Sequence, residues 1–201
     1  MKPKITIAHK SGTAALFKRM ANLSRTAAYV GVPSASSRER GDHLLGMAAK
    51  TKNKRKKEYL RKTAEADVTN AELLFIFSKG SPKRRQPARP VLEPAVQAAD
   101  NKEPISRELA GMAKAALEGD REKQMRQAKR AALAGQNAAR SWFTDARNGW
   151  QPLAESTKRG RMSRMSKAQR AEAADLGDAA FTPGVDTGAM RASIIGIVSE
   201  E

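Results

Sequence analysis

The sequence predicts an α+β fold: a small, mostly antiparallel sheet packed against a long helical hairpin, with a basic helical insertion. Three observations predict it. Residues 104–148 carry apolar side chains at helical spacing, broken once at Gly119-Asp120. Two short β-branched or apolar runs, at 27–32 and 194–198, lie far apart in the chain and suit strands. Residues 39–67 are polar, helix-prone and crowded with lysine. A single domain over residues 1–201 is expected. Its core covers about 1–35 and 68–201, with the insertion at about 36–67 and room for an extended loop at 158–180.

The elements follow in order. Ile5-Thr6-Ile7 alternates as a short strand does. Ser11 is placed to cap a helix whose Leu16, Phe17, Met20 and Leu23 share one face, expected to be buried. Ala27-Ala28-Tyr29-Val30-Gly31-Val32 is a strand stopped by Pro33 and a Ser-rich turn. In the polar segment, Leu44, Leu45 and Met47 precede a basic run that Tyr59 and Leu60 interrupt, so its hydrophobic stripe is thin. Residues 71–77 form an apolar block. A helix there is capped by Thr69 or Asn70 and ended by Gly80 and Pro82, while its Phe and Ile content keeps a strand open. Residues 81–94 read as a basic, Pro-punctuated loop, and 91–100 turn helical.

The hairpin has two stripes. Ile105, Leu109, Met112 and Ala116 form one; Met125, Ala128, Ala132, Ala139 and Phe143 form the other. Gly135 among alanines suits a close helix crossing, at a propensity cost of roughly 1 kcal/mol. Trp142, Phe143 and Trp150 read as core anchors where a helix ends against a turn. Residues 158–167 are basic and Met-spotted, and 168–176 suit a short helix before Gly177. In the C-terminal stretch, Asp186 and Thr187 are good N-cap types and Gly188 permits close backbone approach. Met190 and Ile194 lie four apart on one helical face, and Ile194, Ile195, Ile197 and Val198 then favour a strand.

Composition bounds the function. Lys and Arg number 38 against 21 acids, a net charge of +17, so the chain works beside polyanions or acidic proteins. Aromatics are only 4%, too few for base-stacking platforms. Cysteine is absent, which removes disulfides and thiolate metal sites and fits a reducing compartment. The basic N-terminus lacks the apolar core of a signal peptide, and no run suits a membrane span. The expectation is a soluble protein made in a cytosol, without membrane contact.

Catalytic signals are weak. His9 and His43 have no partner at ligand spacing, and no Gly-x-Ser-x-Gly elbow is present. Gly31, Gly41 and Gly46 are too scattered to cradle a phosphate. The neighbours Asp67 and Glu72, and Asp175 and Asp178, read as helix-surface charge. No catalytic, cofactor-binding or metal residue is assigned, no cofactor is expected, and an enzyme is not expected.

The stronger signal is basic. Lys50, Lys52, Lys54, Arg55, Lys56, Lys57, Arg61 and Lys62 are either a solvated helix face or a contact for DNA phosphates or an acidic neighbour. Lysine predominates, which suits diffuse attraction better than bidentate base reading. Lys83, Arg84, Arg85 and Arg89 divide the same way, on a loop that its prolines stiffen into a defined edge.

An ordered set of structural motifs accompanies these charges. It runs Val30-Gly31-Val32-Pro33, then Asn70-Ala71-Glu72-Leu73-Leu74-Phe75-Ile76-Phe77-Ser78-Lys79-Gly80-Ser81-Pro82, then Pro87-Ala88-Arg89-Pro90-Val91-Leu92-Glu93-Pro94-Ala95. After the hairpin come Trp150-Gln151-Pro152-Leu153-Ala154-Glu155-Ser156-Thr157 and Asp186-Thr187-Gly188-Ala189-Met190-Arg191-Ala192-Ser193-Ile194. From residue 27 onward the chain resembles the tailed-bacteriophage virion-morphogenesis family, the neck, tail-completion or head-tail joining proteins. Each motif alone is weak, and their shared order carries the resemblance.

The resemblance implies a structural virion subunit at the head-tail junction, assembled in the bacterial host cytoplasm. It implies a ring around the DNA channel, a hexamer ahead of a dodecamer. Its neighbours would be head-closure or connector proteins and tail-terminator or tail-tube proteins, with genomic DNA passing through. Gly31, Gly80, Pro90, Trp150, Pro152, Asp186, Thr187, Gly188, Met190 and Ile194 would be structural motif residues. Segments 38–67 and 158–178 are longer than the family pattern needs. A basic DNA-binding or packaging-associated protein is the alternative.

Overall fold

A computed structural model describes residues 10–33, 37–66 and 68–200. The expected strand at Ile5-Thr6-Ile7, His9, most of the Ser-rich turn and Asp67 lie outside the described residues.

The hairpin organises the molecule. Helices α6 (Ala99–Glu118) and α7 (Arg121–Trp142) fold back on each other across Gly119-Asp120. Gly119 ends α6 in the left-handed region at φ 83°, and the Asp120 side chain accepts a bond from Lys123 N to start α7. The buried partners are short: Ala115 and Ala116 on α6, with Ala128, Ala131, Ala132, Ala138 and Ala139 on α7. Short side chains let the two axes approach closely. Helix α6 starts five residues before the expected Pro104, which sits inside it at the cost of one backbone bond. Of the first stripe, Met112 and Ala116 are buried, whereas Leu109 is exposed.

Strands β1 (Thr26–Gly31) and β2 (Ile195–Glu200) pair antiparallel, from Thr26 opposite Glu200 to Gly31 opposite Ile195. Two strands alone are marginal, so this ribbon depends on α7 beneath it. A Cβ at Gly196 would lie 2.2 Å from the Ala132 carbonyl oxygen, and one at Gly135 would lie 2.6 Å from Val30 Cγ2. The closeness expected at Gly135 therefore serves strand-on-helix contact rather than a helix crossing. Polar ties fix the register: Gln124 Nε2 donates to Thr26 Oγ1 at 2.9 Å, and Gly196 N donates to Gln136 Oε1 at 2.9 Å.

The open choice at 71–77 resolves as helix α4 (Asn70–Lys79). Thr69 and Glu72 form a reciprocal capping box, which gives a short apolar run a defined start. Gly80 closes the helix. Leu74 and Phe77 then join Val91 just before α5 (Leu92–Gln97), Ala95 within it, Ala139, Trp142 and Phe143 at the end of α7, and Ile194 in the main core. The Phe77, Phe143 and Trp150 rings pack with centroids 5.2–6.0 Å apart. All three anchors expected around residue 142–150 are in or against this core. Helix α5 begins at Leu92, inside the expected loop, which shortens that loop.

The insertion forms two helices, α2 (Ser37–Lys50) and α3 (Lys54–Ala64), around a small second cluster of Leu44, Ala48 and Leu60. Two expectations are corrected here. Helix α1 (Lys10–Ser24) already includes Ser11, and its 16-17-20 face points to solvent, with Phe17 70% exposed. It meets the hairpin through another face, where Arg19 donates to Leu117 O at the end of α6. The extended loop for which 158–180 left room is helical: α8 (Glu155–Arg164) at its start, the short helix expected at 168–176 as α9 (Lys167–Leu176), and a 3₁₀ turn at Gly177–Ala180. Buried Lys158 holds it together by pairing with Glu155 and Asp178.

Candidate functional site

The basic face is built by an unfavourable arrangement. Asn53 caps α3 by accepting from Lys56 N at 3.1 Å, and its amide donates to Arg164 O at 2.9 Å, tying α3 to the end of α8. Residues 54–57 are then four consecutive cations in the first turn, with no acid among them. A helix N-terminus repels positive charge, so this placement costs stability. Lys50, Lys52, Lys54, Arg55, Arg61 and Lys62 are exposed, Lys56 and Lys57 half-buried, and none of the eight forms an ion pair among the described residues.

The second basic segment divides. Ser81 and Gln86 exchange two backbone bonds that clamp the turn, and Lys83, Arg84 and Arg85 project from it into solvent. Arg89 does not, and its expected contact role is corrected. It is 5% exposed, donates through Nη2 to Gln151 O at 2.9 Å and lies 5.8 Å over the Phe77 ring. Burial pushes its pKa down. It joins the 81–90 segment to the 149–154 segment and cannot reach a partner.

The C-terminal motif is also reassigned in part. Asp186 does not cap a helix. It accepts from the Tyr59 hydroxyl at 2.9 Å and from Arg164 Nη2 at 2.9 Å, with Arg161 Nε 3.6 Å from its other oxygen. Thr187 Oγ1 accepts from Ala189 N at 3.3 Å, beside the short α10 (Ala189–Ala192). A Cβ at Gly188 would meet open space, so glycine is wanted there for φ 75° and not for close approach. Ile194 is fully buried just before β2, with Met190 packed against the same cluster. Arg140 of α7 donates to Ile194 O at 2.9 Å and Ala192 O at 2.6 Å, fastening the segment.

These parts meet in one cleft of about 550 Å³ between α3, α4, the 82–86 turn, α8 and residues 184–190. Arg40, Arg84, Arg161 and Arg164 line it, against Asp186 as the one carboxylate among the described residues. Burial pushes the Arg40 and Arg161 pKa values down, with Asp186 partly offsetting this at Arg161. Arg40 spends one nitrogen on the carbonyls of Thr63 and Val68, and Arg161 donates to Thr182 O. Arg164 lies 4.0 Å over the Tyr59 ring. Burial, then Asp186, pushes the Tyr59 phenol up. The buried Asn70 Oδ1 has no hydrogen-bond partner among the described residues.

Sequence reasoning supplied Arg84, Asp186, Thr187 and Met190 of this cleft and missed Arg40, Tyr59, Arg161 and Arg164. The available signal is the spacing of Arg161 and Arg164, three apart and so on one face of α8. Gly31 and Pro90 sit elsewhere, beside α5, and Pro152 is exposed in the 149–154 segment. No family model, curated protein or solved structure matches the chain. Among the described residues, no group of three or more His, Asp or Glu can hold a metal ion, and no helix is long and apolar enough to cross a membrane.

Proposed function

We propose that this chain is a structural subunit of a tailed-phage neck, a tail-completion or head-tail joining component that assembles as a ring around the DNA channel. The observation that carries the DNA-facing part is the first turn of α3, where Lys54, Arg55, Lys56 and Lys57 crowd a helix N-terminus without an acid. Such a turn is relieved by an external polyanion, and duplex phosphates supply one. The ring rests on the order of the structural motifs. Support also comes from large apolar side chains left in solvent, Phe17 on α1 and Phe75 on α4, which assembly can cover. The role needs no catalysis: closing the ring orders the joint between filled head and finished tail.

The test is genetic and structural. Particles made without the protein should accumulate as separate filled heads and tails. Joined, infectious particles in its absence would overturn the proposal. A basic DNA-binding or packaging factor is the second reading, favoured by the same exposed lysines. It requires the protein inside heads or on free DNA rather than at the neck, which imaging of labelled particles distinguishes.

A further inference from the structure

The arginine cleft is chemically unlike the lysine face. Its cations sit in a concavity with Leu73, Ile76 and Met190 among its walls, whereas none of the α3 lysines lines it and Lys54 and Lys62 are exposed. A DNA duplex, whose major groove alone is about 12 Å wide, cannot enter a recess of this size. A carboxylate on a short apolar segment can.

We infer that this cleft is a docking site for an acidic-apolar segment of a partner protein, its carboxylates held by Arg84, Arg161 and Arg164 and its apolar side chain resting on Leu73, Ile76 and Met190. Charge complementarity selects the occupant, since among the described residues four arginines face one acid. Arg84 makes no ion pair or side-chain hydrogen bond among the described residues, which leaves its fork free at the mouth. Arg40 and Arg161 are partly stripped of water already, so an added anion regains attraction at little further desolvation. Asp186 shows how a carboxylate sits there: it is the resident acid that bridges Tyr59, Arg161 and Arg164. An incoming carboxylate shares those donors with it. All these groups belong to one chain, so the inference goes beyond the joining role and does not rest on ring formation.

The test uses the full chain and an end-blocked Leu-Glu-Glu-Leu peptide, with the Gln-for-Glu peptide, inorganic phosphate and a short DNA duplex as comparators. The acidic peptide should bind, and the Gln peptide should bind about tenfold more weakly or worse. Arg84→Gln should weaken the acidic peptide about fivefold or more while changing duplex affinity less than about twofold. Asp186→Asn should tighten the acidic peptide severalfold by removing the resident competitor. If it fails to fold, Arg84→Gln decides alone. Equal binding of the two peptides overturns the inference. So does an Arg84→Gln loss that falls on the duplex or on phosphate as heavily as on the peptide.

Discussion

At the scale of single residues, Tyr59 and Asp186 make the most specific claim on pH. Burial and the Asp186 carboxylate both favour the neutral phenol, raising its pKa above the ordinary value of about 10. An acid whose pKa is higher folded than unfolded holds its proton more tightly when folded. Its contribution to stability is therefore complete below about pH 10 and is lost as pH rises through the folded value. The tyrosinate absorbance difference between wild type and Tyr59→Phe should have a midpoint above 10, and Asp186→Asn should lower it; a midpoint unmoved by Asp186→Asn would remove the pair. Two residues of the C-terminal stretch then separate two kinds of requirement. Ile194→Asp places a charge at a fully buried site and should cost more than about 3 kcal/mol, abolishing the folded state in denaturant titrations. Gly188→Ala meets no atom but must hold φ 75°, so about 1 kcal/mol with the fold retained is expected.

At the scale of elements, α3 is a helix whose ends disagree. Arg61 and Lys62 suit its last turn, while residues 54–57 oppose its first. Replacing Lys54 and Arg55 by Glu should raise thermal stability, by about 0.5 kcal/mol per site, and weaken DNA binding. A drop in both would mean that these side chains serve packing instead. The same physics decides what the sequence made legible. The α6–α7 hairpin could be read because Gly119 and Asp120 supply a C-terminal and an N-terminal cap back to back, between clear stripes. At α4 the short apolar run suits helix and strand alike, and the Thr69–Glu72 box decides for helix. Helix α8 was unreadable from periodicity, since Lys158, Arg161 and Arg164 orient it through ion pairs with distant Asp178 and Asp186. The error at α1 is of another kind. Spacing shows which residues share a face, and Leu16, Phe17 and Met20 do, but it does not show whether the rest of the chain covers them. For the cleft, Asp186 was legible only as a cap type, because its partners lie up to 127 residues away.

At the scale of the whole molecule, a charge of +17 sets the balance between folding alone and folding against a partner. Most described ion pairs are solvent-exposed and contribute little, so screening them removes less than it relieves in self-repulsion. Added sodium chloride should therefore raise the melting temperature of the free protein, contrary to a fold held by its salt bridges. Binding to DNA should move the opposite way, because each neutralised phosphate releases condensed counterions. With all eight cations of the 50–62 run engaged, the slope of log affinity against log salt reaches about −7. Changing Lys54, Arg55, Lys56 and Lys57 together to Gln should flatten that slope by about 3 to 4, uniformly across duplex sequences. Arg84→Gln, which belongs to the cleft, should leave it nearly unchanged. Anisotropy titrations over a salt series measure both. A slope that ignores the quadruple change would place the phosphate contacts elsewhere on the surface, and the crowded turn of α3 would lose its explanation.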